Sequence, residues 1–309
     1  MMVCEGKRMK KCIGIVLFIL IILLVGCTAK KESAMKEEAK ETEKQETEKQ
    51  ESEQQETEQQ ETEQQEVEEE IQQEVEHETG QETQQGVVKV EAIPGQHRDP
   101  NSAVVVIDPG HQLRGDSTKE PNGPGSSVMK ARVSGGTTGV ATGVAEYILN
   151  LEISLKLKTE LENRGYTVYL TRSTHDVNIS NMERAKYADT VGADIAVRIH
   201  GNGSTSSSVH GVETYVPSAS NPYVSHLATA SKSLGKCIID AYCAATGFKN
   251  RGVMTSDTMT GINWSSVPVT IVELGYMSNA QEDRNMQDAT MQNNMVQGIA
   301  NGIDAYFGF

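Results

Sequence analysis

Apolar positions are distributed along this chain in three regimes, and each predicts a different kind of segment. Residues 12–25 form one apolar run, residues 41–65 contain no apolar side chain, and from about residue 102 short β-branched runs alternate with helical spacings. In that last region, 103–107 reads as a strand that stops at Asp108-Pro109-Gly110. Residues 144–163 carry Ile148, Leu151, Leu155 and Leu161 at helical spacing, with Gly165 after them. A strand is expected at 166–170. Ser180 and Glu183 then have the spacing of a capping box, opening a helix that stops near Gly192. Strands are expected at 194–199 and 211–216. Leu227, Leu234, Ile238 and Tyr242 mark one side of a long helix ending at Gly247. A last strand at 267–274 precedes a closing helix marked by Val296, Ile299, Ile303 and Tyr306. This alternation predicts, over 101–309, a single three-layer α/β domain with a mostly parallel or mixed sheet and helices on both faces.

The N-terminal third reads differently. Lys7, Arg8, Lys10 and Lys11 precede the apolar run, which falls short of the roughly 20 residues a membrane-spanning helix needs. The sequence Leu24-Val25-Gly26-Cys27 resembles a bacterial lipobox. Residues 1–27 are therefore expected to be a lipoprotein signal peptide with lipidation at Cys27; the alternative is an uncleaved signal anchor. Either reading exports the rest of the chain, and the lipobox places it on the outer face of the cytoplasmic membrane, facing the cell wall. Residues 41–65 repeat with period five (ETEKQ, ETEKQ, ESEQQ, ETEQQ, ETEQQ), which fits neither a heptad nor the helical period. Residues 28–100 are expected to be a disordered, self-repelling Glu/Gln-rich linker spanning roughly 45 Å.

Charge sharpens this division. The chain carries a formal net charge of −15, and residues 28–97 alone hold 22 acidic and 7 basic side chains. The α/β region is left close to neutral and shows no basic cluster, which argues against a nucleic-acid partner. A monomer is expected. Cys237 and Cys243, six positions apart in a predicted helix, point to different faces and read as buried free thiols rather than a disulfide.

Candidate chemistry lies at the strand ends. His111 follows the first strand, His200 follows the strand at 194–199, and Glu146 opens the first helix. Ligands of open α/β sheets bind outside the carboxyl ends of the strands, so these residues can converge. Two His and one Glu are a set typical of catalytic zinc, which keeps a fourth position for water. His77, His97, His175, His210 and His226 read as surface or structural residues. Glu273 ends an apolar run (Val269 to Val272), where an unpaired carboxylate costs several kcal/mol if buried. It is either a strand-end residue reaching solvent or a general base beside the metal.

These residues fall within motifs: DPGH at 108–111, AEYILNLEIS around Glu146, YLTR at 169–172, ADIAVRIHGN at 193–202 and VPVTIVELGYMSN at 267–279. Together and in this order they resemble the zinc-dependent N-acetylmuramoyl-L-alanine amidases of the amidase-3 (AmiC/CwlV-like) family. The resemblance runs from about residue 103 to the C-terminus. It implies one zinc ion held by His111, Glu146 and His200, with Glu273 as catalytic carboxylate and peptidoglycan as substrate. The implied reaction is zinc-assisted hydrolysis of the amide between N-acetylmuramic acid and L-alanine. A zinc peptidase acting on the stem peptide and a non-catalytic wall-binding lipoprotein are the competing readings. Two departures stand out: Gln112-Leu113 follows the histidine where many members have two glycines, and Arg198 occupies a position where serine is common. Strand alternation puts Arg198 on the face of His200, so it is expected to line the cleft and bind substrate. The Gly-, Ser- and Thr-rich loop at 112–140 is expected to be either one wall of the groove or disordered.

Overall fold

The computed structural model describes residues 103–309. The expected signal peptide with its lipidated Cys27 and the whole of the expected linker at 28–100 lie outside the described residues. Eight strands and six α-helices follow in chain order: β1 (Val104–Pro109), β2 (Asp116–Pro121), β3 (Met129–Val133), α1 (Glu146–Asn163), β4 (Thr167–Leu170), α2 (Asn181–Thr190), β5 (Ile195–Asn202), β6 (Val212–Val216), α3 (Ala228–Thr246), β7 (Asn250–Thr255), α4 (Thr260–Asn263), β8 (Val269–Tyr276), α5 (Ala280–Gln287) and α6 (Ala289–Phe307).

Six strands form one mixed sheet in the order β4-β1-β5-β8-β6-β7. The first four of these are mutually parallel, β6 runs antiparallel to β8, and β7 is parallel to β6. Alternation sends Val105 and Ile107 to one face, where they pack with Leu149, Ile153, Leu157 and Leu161 of α1 and with the apolar sides of α3 and α6. Val106, Ala196, Ile271 and Tyr215 point to the other face and pack with Ala188 of α2 and Ile262 of α4. The expected single three-layer α/β domain is what forms.

Several expectations need correcting. The buried side of α1 is the i, i+4 row 149-153-157-161, whereas Ile148 and Leu155 are exposed. This helix carries apolar residues on more than one side, so spacing alone cannot select its inner face. His200 lies inside β5 rather than beyond it, because the strand runs on to Asn202 through a register irregularity. The loop at 112–140 holds the antiparallel hairpin β2–β3. Its strands, DSTKEP and MKARV, lack apolar alternation. The hairpin is tied down by polar contacts: Met182 N donates to Glu120 Oε1 (3.0 Å), Trp264 Nε1 to Pro121 O (2.8 Å) and Arg132 Nη2 to Glu183 (2.9 Å). The Ser180–Glu183 capping box and the left-handed C-terminal Gly247 form as expected. Cys237 and Cys243 are free and half-buried.

Candidate active site

Pairing register builds the site. On β5 and β8 His200 faces Glu273, and on β8 and β6 Glu273 faces Glu213. Three neighbouring strands therefore present His200, Glu273 and Glu213 side by side on one face. His111 arrives from the turn after β1, and Glu146 from the first position of α1.

His111, Glu146 and His200 each offer a ligand atom within 4.8 Å of the others. Glu146 Oε1 lies 3.1 Å from His111 Nε2 and 3.2 Å from His200 Nδ1. The same oxygen accepts from Gly201 N (3.1 Å) and Asn150 Nδ2 (3.0 Å), while Oε2 accepts from Thr137 N (2.9 Å). His111 Nδ1 lies 3.0 Å from the carbonyl of Ser134, which can only accept, so Nδ1 carries a proton and Nε2, turned to Glu146, is the nitrogen left for a metal. His200 Nε2 is buried with no hydrogen-bond partner among the described residues. Burial pushes the His200 imidazole down to about 4, against the opposing hydrogen bond to Glu146, so the ring is neutral at ordinary pH. Burial opposes ionisation of Glu146, but the two histidines hold its carboxyl well below the usual range. Two imidazoles and one carboxylate held ionised, converging with an orphaned buried nitrogen, are a donor set that fits a metal ion.

The backbone that carries His111 is strained and clamped. Its φ of 56° is the one positive value at a non-glycine among the described residues, a conformation costing of order 1–3 kcal/mol. Arg172 donates to the carbonyls of Pro109 and Gly110 (2.9 Å each), and Arg184 to those of Pro109 (2.8 Å) and His111 (3.0 Å). Asp108 holds this cluster together: Arg184 and Arg198 ion-pair with its two oxygens at 2.9 and 2.8 Å. Burial alone would raise the Asp108 pKa, yet the two guanidiniums and the Thr171 hydroxyl hold it far below the usual carboxylate range. Arg198 shares the face of His200 as alternation predicts, but it does not line an open cleft. Its guanidinium is buried, paired to Asp108, bonded to Asn181 Oδ1 (2.8 Å) and packed on the backbone of Gly261. Asp108 sits directly opposite on β1 and takes up its charge.

Glu273 is half-buried, and its Oε2 is turned inward, buried without a hydrogen-bond partner among the described residues. Burial first, then the charges of Glu146 and Glu213, push its carboxyl well above the usual range, with Arg198 pulling the other way. A carboxyl whose proton affinity is raised in this way is a stronger base than an ordinary carboxylate. Asp108, Arg172, Arg184 and Glu213 were not foreseen from the sequence. Glu213 carried a legible signal, since it interrupts a short apolar strand just as Glu273 does.

Several known proteins resemble this chain. The amidase LytC of Bacillus subtilis (strain 168) is 30% identical over 168 residues, which cover 54% of this chain and 32% of LytC. The amidase AmiC of Neisseria meningitidis serogroup B is 24% identical over 249 residues, covering 69% of this chain and 55% of AmiC. The chain thus spans only a third to a half of these relatives. The catalytic domain of the amidase CwlV from Bacillus (Paenibacillus) polymyxa var. colistinus superimposes with a TM-score of 0.53 at 31% identity, covering 66% of this chain and 97% of that one. Ami1 from Mycobacterium smegmatis gives a TM-score of 0.61 at 22% identity, covering 67% and 97%, a likeness of fold. Residues 105–305 match the family Amidase_3, N-acetylmuramoyl-L-alanine amidase, from β1 almost to the end of α6. With the two histidines, Glu146 and Glu273 all inside that span, the chain belongs to the N-acetylmuramoyl-L-alanine amidase family.

Proposed function

We propose that this chain hydrolyses the amide joining N-acetylmuramic acid to the L-alanine of the peptidoglycan stem peptide, with one zinc ion held by His111, Glu146 and His200. The observation that carries this reading is Glu273, a half-buried carboxylate with one buried, unpartnered oxygen, paired in strand register with His200. Bound zinc supplies a Lewis acid for the amide carbonyl and lowers the pKa of a water towards about 7. Glu273 accepts the proton of the attacking water and delivers it to the departing L-alanine amine. Asn150, Thr137 and the Gly201 amide hold Glu146 in place, and Ser134 fixes the tautomer of His111. The family membership and the amidase names of LytC and AmiC support the choice of bond.

Peptidoglycan digestion with metal analysis tests the reading. Free muramoyl carboxyl groups and new L-alanine amino termini are expected; new ends inside the peptide would make the protein a stem-peptide peptidase instead. Glu273→Ala should keep zinc and lose hydrolysis, and retained turnover would remove Glu273 from its role. His200→Ala should lose the metal.

For the whole chain we propose a monomeric lipoprotein, anchored through Cys27 to the outer face of the cytoplasmic membrane. The lipobox-like sequence Leu24-Val25-Gly26-Cys27 supports this, and so does the distance from Cys27 to β1, long enough for a tether that reaches the wall. Two acyl chains on one cysteine give stable anchoring. Cys27→Ala should move the protein from the membrane fraction to the soluble one; unchanged fractionation would refute lipidation as the anchor.

A further inference from the structure

We propose that Arg251 is a carboxylate-binding residue that receives the free carboxylate of the second stem-peptide residue; this rests on the amidase reading above. The row of site residues does not end at Glu273. Glu213, next along the sheet, is buried and accepts from Tyr215 OH (2.9 Å), Tyr276 OH (3.0 Å), Asn202 Nδ2 (3.4 Å) and Arg251 Nε. Arg251 lies on β7, the edge strand, with its guanidinium 5.4 Å from the centroid of the Tyr276 ring. Only its Nε is engaged: both terminal nitrogens lack a hydrogen-bond partner among the described residues, and the side chain is 31% exposed. The other arginines near the site are spent, Arg172 and Arg184 on backbone carbonyls and Arg184 and Arg198 on Asp108. Arg251 is thus a guanidinium whose inner edge is fixed by a buried carboxylate and whose outer fork is open. That fork matches a carboxylate in bidentate fashion.

Position and charge select the ligand. Glu273 must stand beside the amine it protonates, so the departing peptide extends from Glu273 away from His111 and Glu146. That direction leads over β6 to β7. Two strand spacings separate β8 from β7, about 10 Å at backbone level, and an arginine side chain leaning back over Glu213 shortens the gap. An extended residue covers roughly 3.5 Å, which brings the second residue of the stem within reach of the guanidinium. Glu146, Glu213 and Glu273 make this face acidic, so an anionic peptide needs a cation on its path, and Arg251 provides one.

The test uses the intact zinc-loaded protein and two muramoyl tripeptides that differ only at the γ-linked D-glutamate, whose α-carboxylate is free in one and a carboxamide in the other. The wild type should favour the carboxylate by at least about tenfold in kcat/KM, the weight of one charge-assisted hydrogen bond. Arg251→Met should remove that preference: its loss on the carboxylate substrate should exceed its loss on the carboxamide substrate by about that factor, and the excess should lie in KM. Arg251→Lys keeps the charge and should recover part of the preference. Equal losses on both substrates, or a preference that survives Arg251→Met, would overturn the proposal. Should Arg251→Met lose its cooperative thermal transition, Arg251→Lys carries the test, and an undiminished preference in that variant overturns the proposal. If the wild type cleaves neither substrate, the amidase reading fails while this one stays measurable by calorimetry with the free tripeptides. Arg251-dependent binding of the carboxylate form alone supports the clamp; equal binding of the two forms refutes it.

Discussion

Gly110 has no room for a side chain, because a Cβ there would sit 2.3 Å from Cε1 of the His200 ring. The turn after β1 and the imidazole on β5 are packed that closely. Gly110→Ala is expected to displace His200 and weaken zinc binding on the order of 10–100-fold, as loss of a supporting contact commonly does; competition with a chromophoric chelator measures it. Two residues earlier, within β1, Asp108→Asn leaves Arg184 and Arg198 buried without their counter-ion. A cost of about 3–5 kcal/mol is expected at neutral pH, read from denaturant unfolding. The sign of its pH dependence follows from the depressed pKa of Asp108. The unfolded chain takes up this proton near pH 4, before the folded one does. The stabilisation is therefore complete above about pH 4 and drains away as pH falls towards the folded value. The gap between wild type and Asp108→Asn should narrow from pH 6 to pH 3; a constant gap would show that the charge is not what Asp108 contributes. At this scale the sequence was legible wherever a polar residue interrupted an apolar run, as Glu273 does. Arg198 shows the limit: alternation located its face, but its partner Asp108 is 90 positions away in the chain.

Elements were legible where a local signal had one interpretation. The Ser180–Glu183 box closes reciprocally in α2, and the left-handed Gly247 stops α3. The hairpin β2–β3 gave no periodic signal, since its order comes from polar contacts to α2 and to Trp264 rather than from a buried apolar face. The inner side of α1 was misjudged because two apolar rows compete on one helix and only the sheet decides between them. The crossing of α3 and α6 is a further case. A Cβ at Gly298 would stand 2.6 Å from Tyr242 Cα, and one at Gly302 would stand 2.4 Å from Ile238 Cα. These are backbone atoms that cannot swing aside, so the two glycines set how near the helices come. Gly302→Ala is expected to destabilise by about 1–3 kcal/mol despite its better helix propensity, because overpacking outweighs it. A raised Tm would show that the helices can part without loss.

For the whole domain, a zinc ion at the proposed site would join elements that the chain separates: the turn after β1, the start of α1 and the end of β5. Binding to the folded form alone adds about 2.7 kcal/mol at a zinc concentration one hundred times its Kd. Chelation should therefore lower the Tm of a domain this size by roughly 5–10 °C. A Tm indifferent to chelator would mean that the three ligands are not drawn together by one ion. The three-layer architecture was readable in advance because strand and helix signals alternate from residue 103 onward. The sheet order was not, since no local pattern reports that β8 inserts between β5 and β6.

That insertion has a consequence for how such an enzyme changes over time. With β8 between two partners, Glu273 is locked by register on both sides, and a slip of one residue would replace it with Val272 or Leu274. The carboxylate proposed to react therefore has almost no freedom to drift. Arg251 sits on the strand with one neighbour, and the β2–β3 hairpin lies outside the main sheet altogether. Variation tolerated at these margins can retune which wall peptides are accepted while the chemistry at the centre is inherited intact.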